Sequence, residues 1–227
     1  MGNLIQKFWK KNESDIMRKI VIPGEVVSTE RKRLGSNVFI QNGKICSEVL
    51  GVMTEENDTA SVVALKGVYV PKQNDIIVGI ISSEKFAGYT VNINCFFDTF
   101  ISKKEFREQV GNGTVVSAMV ARVSELNEVD LEGVRTFFGG EVLKISPVKI
   151  PRVIGKNNSM LNVLKNYTKA NIVVGRNGLI WVKGENTDLL VKALEIIEKE
   201  AHKEHLTERI EAFLKEETEK RKKEPKK

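Results

Sequence analysis

The sequence predicts a mainly β chain that becomes α+β toward its C-terminus: a small N-terminal β domain, a five-stranded barrel, and a C-terminal domain of order β-α-α-β-β-α. Three observations carry this reading. Turn signals cut residues 20–70 into short apolar runs, and five further runs between Ile76 and Phe138 are interrupted once by a polar segment. Past Val142 the apolar period lengthens from two residues to three or four. The predicted boundaries are an extension over 1–16, a β domain over 17–70, a barrel over 71–143, an α+β domain over 144–214 and a charged tail over 215–227.

Taken in order, Leu4, Ile5, Phe8 and Trp9 have spacings that a single amphipathic helix can use, an appendage that is either a docking helix for a partner or membrane surface or a frayed terminus. Residues 17–25 read as a strand ending in a Pro23-Gly24 turn. Asn42-Gly43 between apolar runs is a strong hairpin signal, and residues 55–58 turn the chain again before the run over 60–65. The barrel strands are predicted over 76–81, 89–93, 96–101, 114–123 and 131–138, with a break at 103–110 after the third, which is the pattern of an OB fold. In its second strand Tyr89, Val91 and Ile93 face the core, while Thr90, Asn92 and Asn94 face water.

Residues 142–150 are predicted as a strand and Pro151 as the first position of a short helix. Ser159 then caps a helix carrying Met160, Leu161, Leu164 and Tyr167. Strands over 171–174 and 179–182 flank Gly175-Arg176-Asn177-Gly178, and Asn186 or Thr187 caps a long helix with Leu190, Ala193, Leu194, Ile197 and Ala201 on one stripe. Beyond Leu214 the chain is nearly all charge, the composition of a solvated tail.

Composition narrows the function. With 227 residues, 41% hydrophobic and 29% charged, the chain is ordinary globular material. Its net charge of +6 and pI near 9.2 favour an anionic partner. Cys46 and Cys95 lack the spacing of a zinc site or redox pair and read as plain thiols in a reducing compartment. No apolar run approaches the ~18 residues that span a bilayer, the N-terminus has no secretory apolar core, and Gln6 stands where a myristoylation signal has Ser or Thr. A cytoplasmic location without a membrane partner is expected. No catalytic constellation emerges: His202 and His205 lack the i, i+4 spacing of a helical metal site, and residues 175–178 lack the Lys and Ser/Thr of a phosphate-binding loop.

The segment Val153-Ile154-Gly155-Lys156-Asn157-Asn158 falls between the first two helices of the β-α-α-β-β-α order. This resembles a type I KH domain, whose small-residue loop lets an RNA backbone approach the main chain while helix amides and nearby cations face the phosphates. The resemblance implies RNA contact by Arg152, Gly155 and Lys156, although Asn158 replaces the second glycine of the Gly-x-x-Gly pattern. Gly175-Arg176-Asn177-Gly178-Leu179-Ile180-Trp181, read alone, is a hairpin turn before a strand with a large core residue. With residues 145–155 upstream and 17–25 near the start, it resembles the Gly-x-Asn-Gly-x-x-Trp signature of the KH-containing RNA-binding cap subunits of the archaeal-type exosome.

That resemblance covers most of the chain. It implies a non-catalytic subunit without cofactor or metal, whose N-terminal domain docks on a hexameric ring of RNase PH-like subunits, three copies to a ring. The cap captures and threads single-stranded, A-rich RNA for 3′-to-5′ degradation by that ring. Gly175, Asn177, Gly178 and Trp181 are then signature positions with a structural role. On the barrel, Lys85, Phe86, Lys103, Lys104 and Arg122 are the candidate RNA contacts, each also compatible with plain solvation. Thr90 and Ser102 fall where stacking aromatics are expected, so the reading favours phosphate contact over stacking. The alternatives are a free-standing single-stranded RNA-binding regulator of transcription or translation, and a clamp for the ring with incidental RNA contact.

Overall fold

The structure is a computed structural model that describes residues 19–56, 58–97, 99–125, 128–201, 203 and 205–223. The appendage predicted over 1–16 and His202 lie outside the described residues. The chain divides into two compact units, one ending at Gly67 and one starting at Val68.

The first unit holds β1 (Ile20–Val21), β2 (Val26–Ser28), β3 (Arg33–Leu34), β4 (Val38–Gln41), β5 (Lys44–Ser47), β6 (Gly51–Glu56) and β7 (Thr59–Ala64). They form two sheets, of order β1-β6-β7-β3 and β2-β5-β4. The β4–β5 hairpin turns on Asn42 and Gly43, both at positive φ (51° and 74°), which is the backbone that an Asn-Gly hairpin turn requires. The Pro23-Gly24 turn closes through Glu25 N–H donating to the Ile22 carbonyl at 3.0 Å. Val21, Val27, Ile45, Ala60 and Val62 make the core, drawing on both sheets.

In the second unit β8 (Ile76–Glu84), β9 (Gly88–Asn92), β10 (Thr99–Ser102), β11 (Val115–Val123) and β12 (Val129–Phe137) form one curled sheet of order β10-β9-β8-β11-β12. The curl brings β10 close to β12. A 3-10 turn, Lys103–Glu105, occupies the predicted break after the third strand. Tyr89, Val91 and Ile93 are buried in the barrel core as their alternation predicts, and Tyr89 meets Phe106 edge-on with centroids 4.9 Å apart. Thr90 departs from its expected wet face: it is buried opposite Phe100.

The C-terminal part follows as β13 (Glu141–Lys144), α1 (Ile150–Ile154), α2 (Ser159–Thr168), β14 (Asn171–Val174), β15 (Leu179–Lys183), α3 (Thr187–Glu200) and α4 (Leu206–Lys223). Its antiparallel sheet has the order β13-β15-β14. The strand predicted over 142–150 stops at Lys144, and Pro147–Lys149 form a 3-10 turn leading into α1. Pro147 and Pro151 cause this. Neither can donate to a sheet ladder, and both suit the first turn of a helix. Ser159 is the first residue of α2, not its cap; Asn158 holds the cap position with a left-handed backbone and no side-chain bond. The predicted stripe of α3 is buried, joining Ile150, Val153, Met160, Leu164 and Ile180 in one core. Residues past Leu214, read as a solvated tail, continue α4 to Lys223. Leu206, Ile210 and Leu214 recur every four residues to seat that helix on the core, and Arg221 pairs with Asp188 in the first turn of α3.

Candidate nucleic-acid interface

The Gly-Arg-Asn-Gly turn joins the barrel to the α+β part from inside. Asn177 is fully buried. Its Oδ1 accepts from Val78 N–H at 3.2 Å, and its Nδ2 donates to the carbonyls of Val78 at 2.6 Å and Ile93 at 2.8 Å. The carboxamide thus does the work of a peptide unit where β9 has ended and β8 continues. Asn94 donates to the Asn177 carbonyl at 2.8 Å and Arg176 N–H donates to the Ile76 carbonyl at 2.8 Å. Gly175 has no room for a side chain, since a Cβ there would stand 2.6 Å from Val78 N. Gly178 has φ +85°, a backbone that suits glycine. Trp181 donates from Nε1 to the Gly139 carbonyl at 2.9 Å and stacks on Phe137, centroids 4.3 Å apart, within an apolar cluster that includes Val78 and Leu179. All four signature positions are turned inward, so a ligand cannot reach the Asn177 side chain.

On the barrel the structure brings Lys85, Phe86, Lys103 and Lys104 together. The first two occupy the β8–β9 turn, and Lys103 N–H donates to the Ala87 carbonyl at 3.1 Å, placing the 3-10 turn beside that loop. Phe86 is wholly exposed and Lys85 and Lys104 make no ion pair among the described residues. Lys103 is compensated: its Nζ lies 2.7 Å from Glu84 Oε1 and 5.8 Å from the Tyr89 ring centroid, and the carboxylate raises its pKa. Arg122 stands apart. Met119 pairs with Ile76 and Val115 with Ile80, so Arg122 lies past the Ile76 end of β8 whereas Lys85 follows its Glu84 end. Along the nine residues of β8 that is roughly 25 Å of separation. Its guanidinium also holds Asp130, with Nη2 at 2.9 Å from Oδ2.

Phe100 is the residue that sequence reading missed. It lies on the outer side of β10, 46% exposed, between the buried Thr99 and Ile101, and it is the cross-strand partner of Thr90. Its ring lies over Gly88, where a Cβ would come within 2.5 Å of Phe100 Cζ. The face of the second and third strands therefore carries an aromatic after all, near Phe86. Strand alternation from Ile101 held this signal. A second groove, about 540 Å³, opens where β12 passes residues 105–108, with Phe106, Arg107, Arg135 and Phe138 in its lining alongside Glu105 and Glu108.

In the α1–α2 loop Gly155 (φ +73°) is required by the chain itself, because a Cβ would stand 2.7 Å from Met160 N and 2.8 Å from Ser159 Oγ. Asn157 and Asn158 follow at φ 51° and 62°, so asparagines adopt here the left-handed backbone that glycine takes most readily. Arg152 and Lys156 are exposed and make no ion pair among the described residues. They flank the first turn of α2, whose amides have no side-chain cap, which makes this edge attractive to anions.

Among the described residues no group of three or more His, Cys, Asp or Glu side chains is placed to hold a metal ion, and no helix is long and apolar enough to cross a membrane. His205 lies 3.4 Å from Glu208.

Known proteins agree with this architecture. Residues 18–66 match the family described as exosome RNA binding protein RRP4 N-terminal domain, and residues 140–188 match the KH domain. The exosome complex component Rrp4 of Methanobrevibacter smithii is 37% identical over 207 residues, covering 85% of this chain and 70% of that protein. Rrp4 of Methanothermus fervidus is 35% identical over 211 residues, covering 87% and 95% respectively. A crystal structure assigned as an exosome complex RNA-binding protein aligns with a TM-score of 0.62 at 30% identity, over 68% of this chain and 99% of that one. The chain belongs to the Rrp4 family of exosome complex components.

Proposed function

We propose that this chain is a non-catalytic cap subunit that docks through its N-terminal β unit on a ring of RNase PH-like subunits. There it captures single-stranded, A-rich RNA and threads it to the ring for 3′-to-5′ degradation in the cytoplasm. The observation that supports this most is the order along one chain: an Rrp4 N-terminal match, a five-stranded barrel, then a KH match.

In this reading Phe86 and Phe100 stack on bases while Lys85 and Lys104 take phosphates at the β8–β9 end of the barrel. Lys103 and Arg122 contribute less, because Glu84 and Asp130 already neutralise them. Arg152, Gly155 and Lys156 form a second contact on the KH edge. Three caps on one ring raise the effective concentration of such weak sites. The cap supplies capture, and the bond-breaking chemistry belongs to the ring.

The test is RNA decay by a purified RNase PH-like ring on A-tailed single-stranded RNA, with and without this protein, beside the protein alone. Faster decay by the complex, and none by the isolated chain, is expected. Failure to associate with the ring would overturn the cap reading, and equal stimulation on A-free RNA would remove the A-rich preference.

A further inference from the structure

Asparagine followed by glycine occurs three times, at 42–43, 112–113 and 177–178. In such a pair the asparagine carboxamide is most open to attack by the next backbone nitrogen, because glycine puts no side chain in the path. The structure gives the three pairs different chemistry. Asn177 is fully buried with its carboxamide donating to the Val78 and Ile93 carbonyls, and Gly178 N–H donates to the Gly175 carbonyl at 3.1 Å. Asn112 is exposed, but Gly113 N–H donates to the Ile81 carbonyl at 2.8 Å, and Thr114 N–H closes the turn on the Gly111 carbonyl at 3.2 Å.

Of the three, only Asn42-Gly43 combines exposure with a free nucleophile. Both residues are exposed at the tip of the β4–β5 hairpin, and among the described residues neither the Gly43 N–H nor the Asn42 carboxamide has a hydrogen-bond partner. The ladder closes on the Gln41–Lys44 pair, so the two tip residues are held only at their ends. Nothing lies within 4 Å of where a Gly43 side chain would stand, which leaves the nitrogen open to water and to the carboxamide before it.

We infer that Asn42 is a site of spontaneous deamidation, confined to this pair by the hydrogen bonds that shield the other two. The Gly43 nitrogen loses its proton to water and bonds to Asn42 Cγ. The Cγ–Nδ2 bond breaks as the leaving nitrogen takes up a proton and departs as ammonia, and a succinimide remains. Water then opens that ring at either carbonyl, giving aspartate or isoaspartate, and nothing is oxidised or reduced. Either product adds a negative charge. Isoaspartate also routes one extra methylene through the main chain, which the Gln41–Lys44 register cannot absorb without shifting. The modification falls in the unit matched to the RRP4 N-terminal domain and does not depend on the RNA-binding reading.

Peptide mapping by mass spectrometry of the full chain, incubated folded at neutral pH and in parallel in urea, tests it, with enzymatic methylation of isoaspartyl carboxyls as a second readout. In urea the three pairs should convert at similar rates. In the folded chain Asn42 should convert about tenfold faster than Asn112, the factor that one intact amide hydrogen bond at Gly113 is worth. Asn177 should not convert measurably while the chain stays folded, and isoaspartyl methylation should map to the peptide that holds Asn42. Equal folded rates at Asn42 and Asn112 would overturn the inference, as would an Asn42 that converts in urea but not in the folded chain.

Discussion

Asn177 shows what one side chain can do when it replaces main chain. Its carboxamide offers one acceptor and two donors, and three buried backbone groups of the barrel use them. Asn177→Ala leaves those groups unpaired at ~1–3 kcal/mol each, so a loss of ~3 kcal/mol or more is expected as a lower urea midpoint. Asn177→Asp should cost more, because a carboxylate donates nothing to two carbonyls and is itself buried. Phe100 is the opposite case. Because Phe100 is 46% exposed, Phe100→Ala should weaken RNA binding by about 1–3 kcal/mol in fluorescence anisotropy while the melting temperature barely moves. Sequence marked Asn177 as a signature position but could not say what it touches. Val78 and Ile93 lie 99 and 84 residues away, and Gly-Arg-Asn-Gly has the composition of an exposed turn. Phe100 was legible in principle, since alternation from the core residue Ile101 puts it outside.

Elements whose periodicity and turn chemistry agree could be read directly: the Asn42-Gly43 hairpin, the barrel strands, the stripe of α3. Where two local signals competed, the reading failed. The apolar run after Val142 suggested a longer strand, and Pro147 and Pro151 turned it into helix. Helix α4 was hidden for another reason, because its charge hides the apolar spacing of Leu206, Ile210 and Leu214. Its far end is tied by Arg221 to Asp188, and that ion pair holds the Asp188 carboxyl below its ordinary value of 3.8. A pKa depressed by folding gives stability that is present above the ordinary value and is lost as pH falls through the lower folded one. The last turns of α4 should therefore lose amide protection on acidification below that value. Arg221→Ala should show the same fraying at neutral pH, where hydrogen exchange of residues 217–223 would reveal it.

Across the whole molecule, the formal charge of +6 says little until the cations are sorted by partner. Glu84 and Asp130 neutralise Lys103 and Arg122, which leaves Lys85, Lys104, Arg152 and Lys156 as the sequence-predicted contacts without an ion pair among the described residues. These four cations sit on two edges of one compact unit. Each phosphate neutralised on a single strand contributes ~0.7 to the log-log dependence of affinity on salt. Four such contacts predict a slope of about 3 when the isolated chain binds RNA, and the double variant Lys85→Ala with Lys104→Ala should lower it by about 1.4. Arg122→Ala should leave the slope nearly unchanged, because Asp130 already holds that guanidinium. A slope that falls as far with Arg122→Ala as with either lysine would mean that RNA displaces Asp130, and would extend the contact surface along β8 to its Ile76 end.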